Sequence, residues 1–199
     1  MKKIIGDTSK FAIESGISQA FERRSFLALG FFLIHVGGVC YGVRDDQATM
    51  LSSPLQKLNR ILRLRGLIQG PELFEQQTAA EIFELLDSVI FEGDQRKSCQ
   101  LVQDSFDVAD FLYSSHAAMH HGCDEAFDDG SVLYYFPFQN KVRIIAALSG
   151  EDTSRKLVSI RDIWITSDEF YGVIKDWRDF FQSEWLLSTK VPESEDQLP

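Results

Sequence analysis

The order of signals along the chain predicts an α+β fold: a mostly antiparallel sheet built from hairpins, two central helices, and a C-terminal amphipathic helix packed on the sheet. Three observations carry this expectation. Apolar runs meet across Gly37-Gly38 and again across Gln139-Asn140-Lys141. Two helical stripes lie between these hairpins. Finally, Phe170, Ile174, Trp177, Phe181 and Trp185 follow one another at helical steps.

Residues 11–21 and 26–36 read as strands, the second rich in Phe, Leu and Ile and the more fully buried. Gly37-Gly38 tolerates the positive φ of a tight primed turn and hands the chain to an apolar run at 39–43. Ser53-Pro54 suits a helix start, with Ser53 as N-cap and Pro54 at the first helical position, where a missing N–H costs nothing. Leu55, Leu58, Ile61, Leu62 and Arg65 follow at helical spacing, and Gly66 can end the helix. Lys57, Arg60, Arg63 and Arg65 make it the most basic piece of the chain. Its plain reading is a solvated face, its sharper one an internal partner for the acids described below.

Gly70-Pro71 breaks the chain before a second helix carrying Phe74, Ile82, Leu85, Leu86, Val89 and Ile90, closed by Gly93. Residues 92–103 are polar and read as a loop, and 106–119 leans to helix over strand. The second hairpin pairs 132–138 with 142–148. Pro137 cannot donate to a ladder and belongs at an edge or a bulge. After a short strand at 160–165, Thr166-Ser167-Asp168-Glu169 forms a capping box whose acids also suit the positive end of the helix dipole.

The 199 residues are expected to make one domain over 1–190 with a disordered acidic tail at 191–199. A 44% hydrophobic and 25% charged composition is that of an ordinary globular protein. The start Met1-Lys2-Lys3-Ile4-Ile5 runs straight into polar residues instead of an apolar signal core, and no apolar run approaches the length of a membrane span, so a cytoplasmic protein without membrane contact is expected. Cys40, Cys99 and Cys123 are scattered and odd in number, which points to reduced thiols.

From Asp104 to Asp129 the chain holds seven carboxylates and no Lys or Arg, which supplies most of its net charge of -10. Such a region repels phosphate and disfavours a nucleic-acid partner. Its end, Asp124-Glu125-Ala126-Phe127-Asp128-Asp129-Gly130, sets an aromatic ring among acids. That suits a protein-binding face, with Asp124, Glu125, Asp128 and Asp129 outward and Phe127 as apolar anchor. It equally suits a core Phe127 with the acids turning the chain into the next hairpin. His116, His120, His121 and Cys123 raise a second possibility, a metal-assisted hydrolase using His116, His120 and nearby acids. However, Ala117 stands where a zinc protease needs Glu, and Gly122 interrupts any helix reaching Cys123. No nucleophile elbow or phosphate loop is present, so no catalytic residue, cofactor or metal is assigned.

Several stretches together resemble immunity protein family 42 of bacterial polymorphic toxin systems. They are Gly6-Asp7-Thr8-Ser9-Lys10-Phe11-Ala12-Ile13-Glu14, the run from Leu29 to Gly38, Tyr41-Gly42-Val43-Arg44, Asp124 to Gly130, Arg161-Asp162-Ile163-Trp164, Phe170-Tyr171-Gly172 and Trp177-Arg178. The resemblance implies a small cytoplasmic antitoxin that binds the C-terminal domain of a cognate toxin and acts by occlusion, not turnover. It carries no catalytic residue and no cofactor. The acidic balance independently favours a nuclease as that toxin, because nucleases carry basic clefts.

Overall fold

The computed structural model describes residues 2–22, 28–91, 108–120, 123–148 and 159–192. The described residues form two sheets and five α-helices. The first sheet has the path β1 (Lys2–Gly6), β2 (Phe11–Phe21), β3 (Ala28–Val36) and β4 (Val39–Tyr41). β5 (Thr49–Met50) adds to β3, and β9 (Lys190–Val191) runs parallel to β2. The second sheet is β6 (Ser131–Phe138), β7 (Lys141–Leu148) and β8 (Arg161–Thr166), all antiparallel. The helices are α1 (Ser52–Arg63), α2 (Leu73–Gln76), α3 (Ala79–Phe91), α4 (Val108–Ser115) and α5 (Ser167–Leu187). Among the described residues no helix is long and apolar enough to cross a membrane.

Both hairpins form where turn chemistry demands them. Gly37 and Gly38 adopt φ of 56° and 82°, the left-handed pair that a two-residue turn between β3 and β4 requires. Pro137 sits on β6, the outer strand of its sheet, where its missing N–H breaks no ladder. The outer flank of β6 is nevertheless paired. Met119 N–H donates to Leu133 O at 2.8 Å, Tyr135 N–H to Ala117 O at 3.0 Å, and Gly70 N–H to Pro137 O at 2.6 Å. The second half of the ambiguous stretch is therefore a strap along the sheet, and its first half is α4.

α5 packs against both sheets. Thr166 ends β8 and at once caps α5: its hydroxyl accepts from Glu169 N–H at 3.1 Å, while Glu169 Oε2 accepts from Thr166 N–H at 2.9 Å. The predicted stripe turns inward. Phe170 stacks on Tyr135 of the second sheet and tilts against Phe11 of the first, with ring centroids 5.2 and 5.1 Å apart. Trp177 meets Phe32 edge-on, stacks on Phe181, and donates its indole N–H to Ser15 Oγ at 2.9 Å. The other face of the second sheet takes Phe74, Ile82, Phe83, Leu86 and Phe111 from α2, α3 and α4. Covered on both faces, β6 is buried along its whole length and shows no polar alternation. Arg143 bolts α2 down: its guanidinium grips Asp162 at 2.9 and 2.7 Å and donates to the carbonyls of Phe74 and Gln77.

Several expectations need correction. α1 opens one residue before Ser53, with Leu51 at the N-cap and no side-chain cap, because Ser52 already has helical geometry. The single helix expected from Phe74 to Ile90 is split at Gln77, whose ψ of 153° is extended. Thr78 and Glu81 restart it as a capping box, with Glu81 Oε2 2.9 Å from Thr78 N and Thr78 Oγ1 3.3 Å from Glu81 N. β1 was not anticipated, because its Lys-rich, largely exposed sequence lacks the alternation of a half-buried strand. Val191, expected to begin the tail, pairs with Phe21, and residues 193–199 lie outside the described residues, as does the expected loop at 92–103.

Because Trp177 is fully buried between α5 and the first sheet, Trp177→Ala should lower unfolding free energy by about 3–5 kcal/mol. Urea denaturation followed by circular dichroism measures it, and a loss below about 1 kcal/mol would show that the stripe does not hold the core.

Candidate functional site

On a pleated sheet alternate residues share a face, so the register decides what meets outside the core. Phe11, Ile13 and Ser15 of β2 pair with Val36, Ile34 and Phe32 of β3 on the inner face, whereas Ala12, Glu14 and Gly16 pair with His35, Leu33 and Phe31 on the other. Glu14 is therefore flanked diagonally by Phe31 and His35, and His35 by Cys40 of β4. The chain after β4 folds back over this face through Arg44. Its guanidinium takes both oxygens of Glu14 at 2.7 and 2.6 Å and lies over the Phe31 ring. Lys2 Nζ and His35 Nε2 each stand 3.0 Å from the same carboxylate, which is only 2% exposed. The bidentate Arg44 contact outweighs desolvation and holds the Glu14 carboxyl down at about 2.

Glu14, His35 and Cys40 are the one cluster among the described residues with its donor atoms close enough to share a metal ion. The chemistry opposes it. Both Glu14 oxygens already serve cations, and Arg44 and Lys2 would repel another positive charge. Partial burial also raises the Cys40 thiol, which disfavours the thiolate a metal needs.

The acidic turn lies against the same loop. Asp124–Phe127 forms one 3-10 turn, with Ala126 and Phe127 directed inward. Phe127 is 5% exposed and meets Phe32 edge-on, so of the two roles weighed for its ring the core position is the one it occupies. Asp129 accepts from Ser131 N–H at 2.9 Å and from Gly42 N–H at 3.1 Å, Ala126 O accepts from Val43 N–H at 2.9 Å, and Glu125 Oε2 accepts from Met50 N–H at 3.2 Å. The 42–50 loop is thus tied to the turn at both ends. Gly42, at φ 109° with the Ala126 carbonyl where a Cβ would sit, leaves no room for a side chain. Between these ties Asp45 and Asp46 are exposed, as are Glu125, Asp128 and Asp129 on the turn, so the tied loop and turn together present an acidic ridge. The side chain of Asp124 lies outside the described residues.

Among the described residues, His116 and His120 do not come together as a metal site. α4 ends at Ser115, so the His116 and His120 spacing is not a helical one. His116 sits at φ 54° in the cleft beside α1, where burial and then Lys57, Arg60 and Arg63 lower its pKa. His120 is buried, its Nδ1 accepts from Leu133 N–H at 3.1 Å, and its ring stands edge-on to Tyr134. Cys123 is buried, and His121 lies outside the described residues.

Sequence reasoning missed two parts of this site. Asp45-Asp46 follows a strand like any polar turn, and only the ties of Gly42, Val43 and Met50 to residues 125–129 bring its loop against the acidic turn. Glu14 reads as one charge in an apolar strand, and its partner Arg44 stands thirty residues away. A lone acid at the centre of a strand was the available signal.

The model of a family described as Immunity protein 42 matches residues 2–180. The crystal structure of CdiI from Burkholderia dolosa AUO158 has the same fold, with a TM-score of 0.56 and 18% identity over 89% of this chain and 99% of that one. No curated protein matches.

Glu14 carries a pH test. Its folded value lies below the ordinary 4.5, so its stabilisation is present at neutral pH and is lost as pH falls from about 4.5 toward about 2. Glu14→Gln should cost about 3 kcal/mol at pH 7, where it strands Arg44, and much less near pH 2.5. Chemical denaturation of both proteins at the two pH values measures this, and a gap that does not shrink with acidification would refute it.

Proposed function

Because the chain belongs to the Immunity protein 42 family, and is thus an immunity protein of a bacterial toxin system, we propose that it neutralises its cognate toxin by binding and occlusion, without turnover. The observation that carries this reading is the ridge of Asp45, Asp46, Glu125, Asp128 and Asp129. Arg44, on the same loop, and Lys2 are both engaged by Glu14. A ridge of one sign attracts a positively charged protein surface over a Debye length and speeds encounter.

The toxin is proposed to be a nuclease. Its substrate track must be positive to hold phosphates, and an acidic ridge both steers toward that track and fills it. The C-terminal domain of the toxin supplies the surface. The hydrolase alternative draws less support: among the described residues His116 and His120 share no helix face, and His116 stands beside Lys57, Arg60 and Arg63.

Asp46 and Asp128 are exposed and make no side-chain hydrogen bond among the described residues, so reversing them leaves the ties of the loop intact. Asp46→Lys with Asp128→Lys should slow association with the neighbouring toxin domain by about tenfold or more at low ionic strength, with little change in melting temperature. Stopped-flow kinetics and co-purification, beside survival on co-expression, test this. Unchanged association at low salt places the binding face elsewhere. Survival without complex formation points to an enzyme.

A further inference from the structure

Along α1 opens a cleft whose charged lining, among the described residues, is of the opposite sign. It measures about 700 Å³, with Ser53, Lys57 and Arg60 of α1 on one wall and Tyr113, Ser114 and His116 on the other. Lys57 and Arg60 are three residues apart and share a helix face, and α1 contains no acid in its twelve residues. Among the described residues Arg60 and Arg63 form no ion pair. Ser53 sits in the first turn of α1, where Leu51 offers no capping acceptor, so the positive end of the helix dipole adds to the same potential. His116 registers that potential, since Lys57, Arg60 and Arg63 all disfavour its protonation after burial has done so. It is held at φ 54°, a backbone state that side chains with a Cβ rarely adopt.

One short stretch of chain joins the ridge to the cleft. Met50, which donates to Glu125, stands two residues before α1 begins, and Ser53 already lines the cleft. At its wall Tyr113 is 85% exposed on a helix whose neighbouring Phe111 and Leu112 are buried. An exposed Tyr beside an Arg is the composition that anchors protein interfaces, and it distinguishes this cleft from a simple anion trap.

We infer that this cleft receives a carboxylate-bearing segment of the same toxin, so that the docking surface is bipolar: acids on the ridge meet the toxin's cations, and Arg60 with His116 and Tyr113 take its acids. The inference rests on the toxin-binding reading above. A ridge of one sign attracts a basic partner without orienting it, whereas adjacent patches of opposite sign fix the register of docking. A polynucleotide would bring its phosphates against the ridge and a net charge of -10. A folded toxin domain can match both signs.

The test uses the full chain and the toxin domain encoded beside it. Arg60 is exposed, so Arg60→Glu should leave the melting temperature unchanged while raising the Kd about thirtyfold or more. Tyr113→Ala should weaken binding at both low and high salt, and Arg60→Glu mainly at low salt. A toxin variant with one interface carboxylate changed to Lys should recover affinity for Arg60→Glu and lose it for the wild type. In the complex the His116 imidazole should titrate at higher pH, as read by NMR.

Loss of affinity in the Asp46 and Asp128 variant without loss in Arg60→Glu overturns the bipolar surface and leaves the proposed function standing. Failure of the wild-type chain to bind the toxin domain overturns both. Saturable binding of inorganic phosphate that Arg60→Glu abolishes, with toxin affinity unchanged, overturns the inference in favour of a small oxyanion site.

Discussion

The fold depends on one buried aromatic stripe serving two sheets. Phe170 touches both Phe11 and Tyr135, and Trp177 contacts Phe32 while hydrogen-bonding Ser15. Each sheet alone is a twisted layer with an apolar face that needs a cover, and α5 provides it for both. The direct step from β8 into α5 through Thr166 fixes the helix relative to the second sheet with no intervening loop. The positions of Ser15 and Phe32 under Trp177 in turn fix which residues of β2 and β3 look the other way.

That opposite face is where the charges are sorted. Burying a carboxylate is expensive unless it is paired, and Glu14 is paired with Arg44, Lys2 and His35 at once. The arrangement commits Arg44 and Lys2 to Glu14 and leaves Asp45 and Asp46 without an ion pair among the described residues. Backbone hydrogen bonds to Asp129, Ala126 and Glu125 hold the other side of that loop. A ridge ordered in this way loses less conformational freedom when a partner arrives, because its backbone is already in place.

The elements legible in the sequence are those whose cause is local. Gly37-Gly38 has to turn, Thr166 to Glu169 has to cap, and residues at four- and three-step spacing from Phe170 share a helix face whatever they pack against. Thr78-Ala79-Ala80-Glu81 carried the same kind of local signal, but the continuous apolar stripe around it masked the break. Non-local causes stayed hidden. β1 exists because β2 offers it an edge and Glu14 offers Lys2 a partner, and neither fact is written in Lys2–Gly6. The direction of the Phe127 ring depends on a 3-10 turn and on the room beside Phe32, which the flanking acids do not reveal. The family resemblance reached further than these physical signals, since it rests on the pattern of the chain as a whole.

The strap at 117–119 has a consequence for behaviour at high concentration. An unpaired flank of a long, largely apolar outer strand is a template for another molecule's backbone, and β6 is an outer strand of that composition. Here Leu133 gives its N–H to His120 and its carbonyl to Met119, Tyr135 gives its N–H to Ala117, and Pro137 has no N–H to offer and a carbonyl already held by Gly70. The flank is closed from within the chain, so copies crowded together find no ladder there to extend into a fibre.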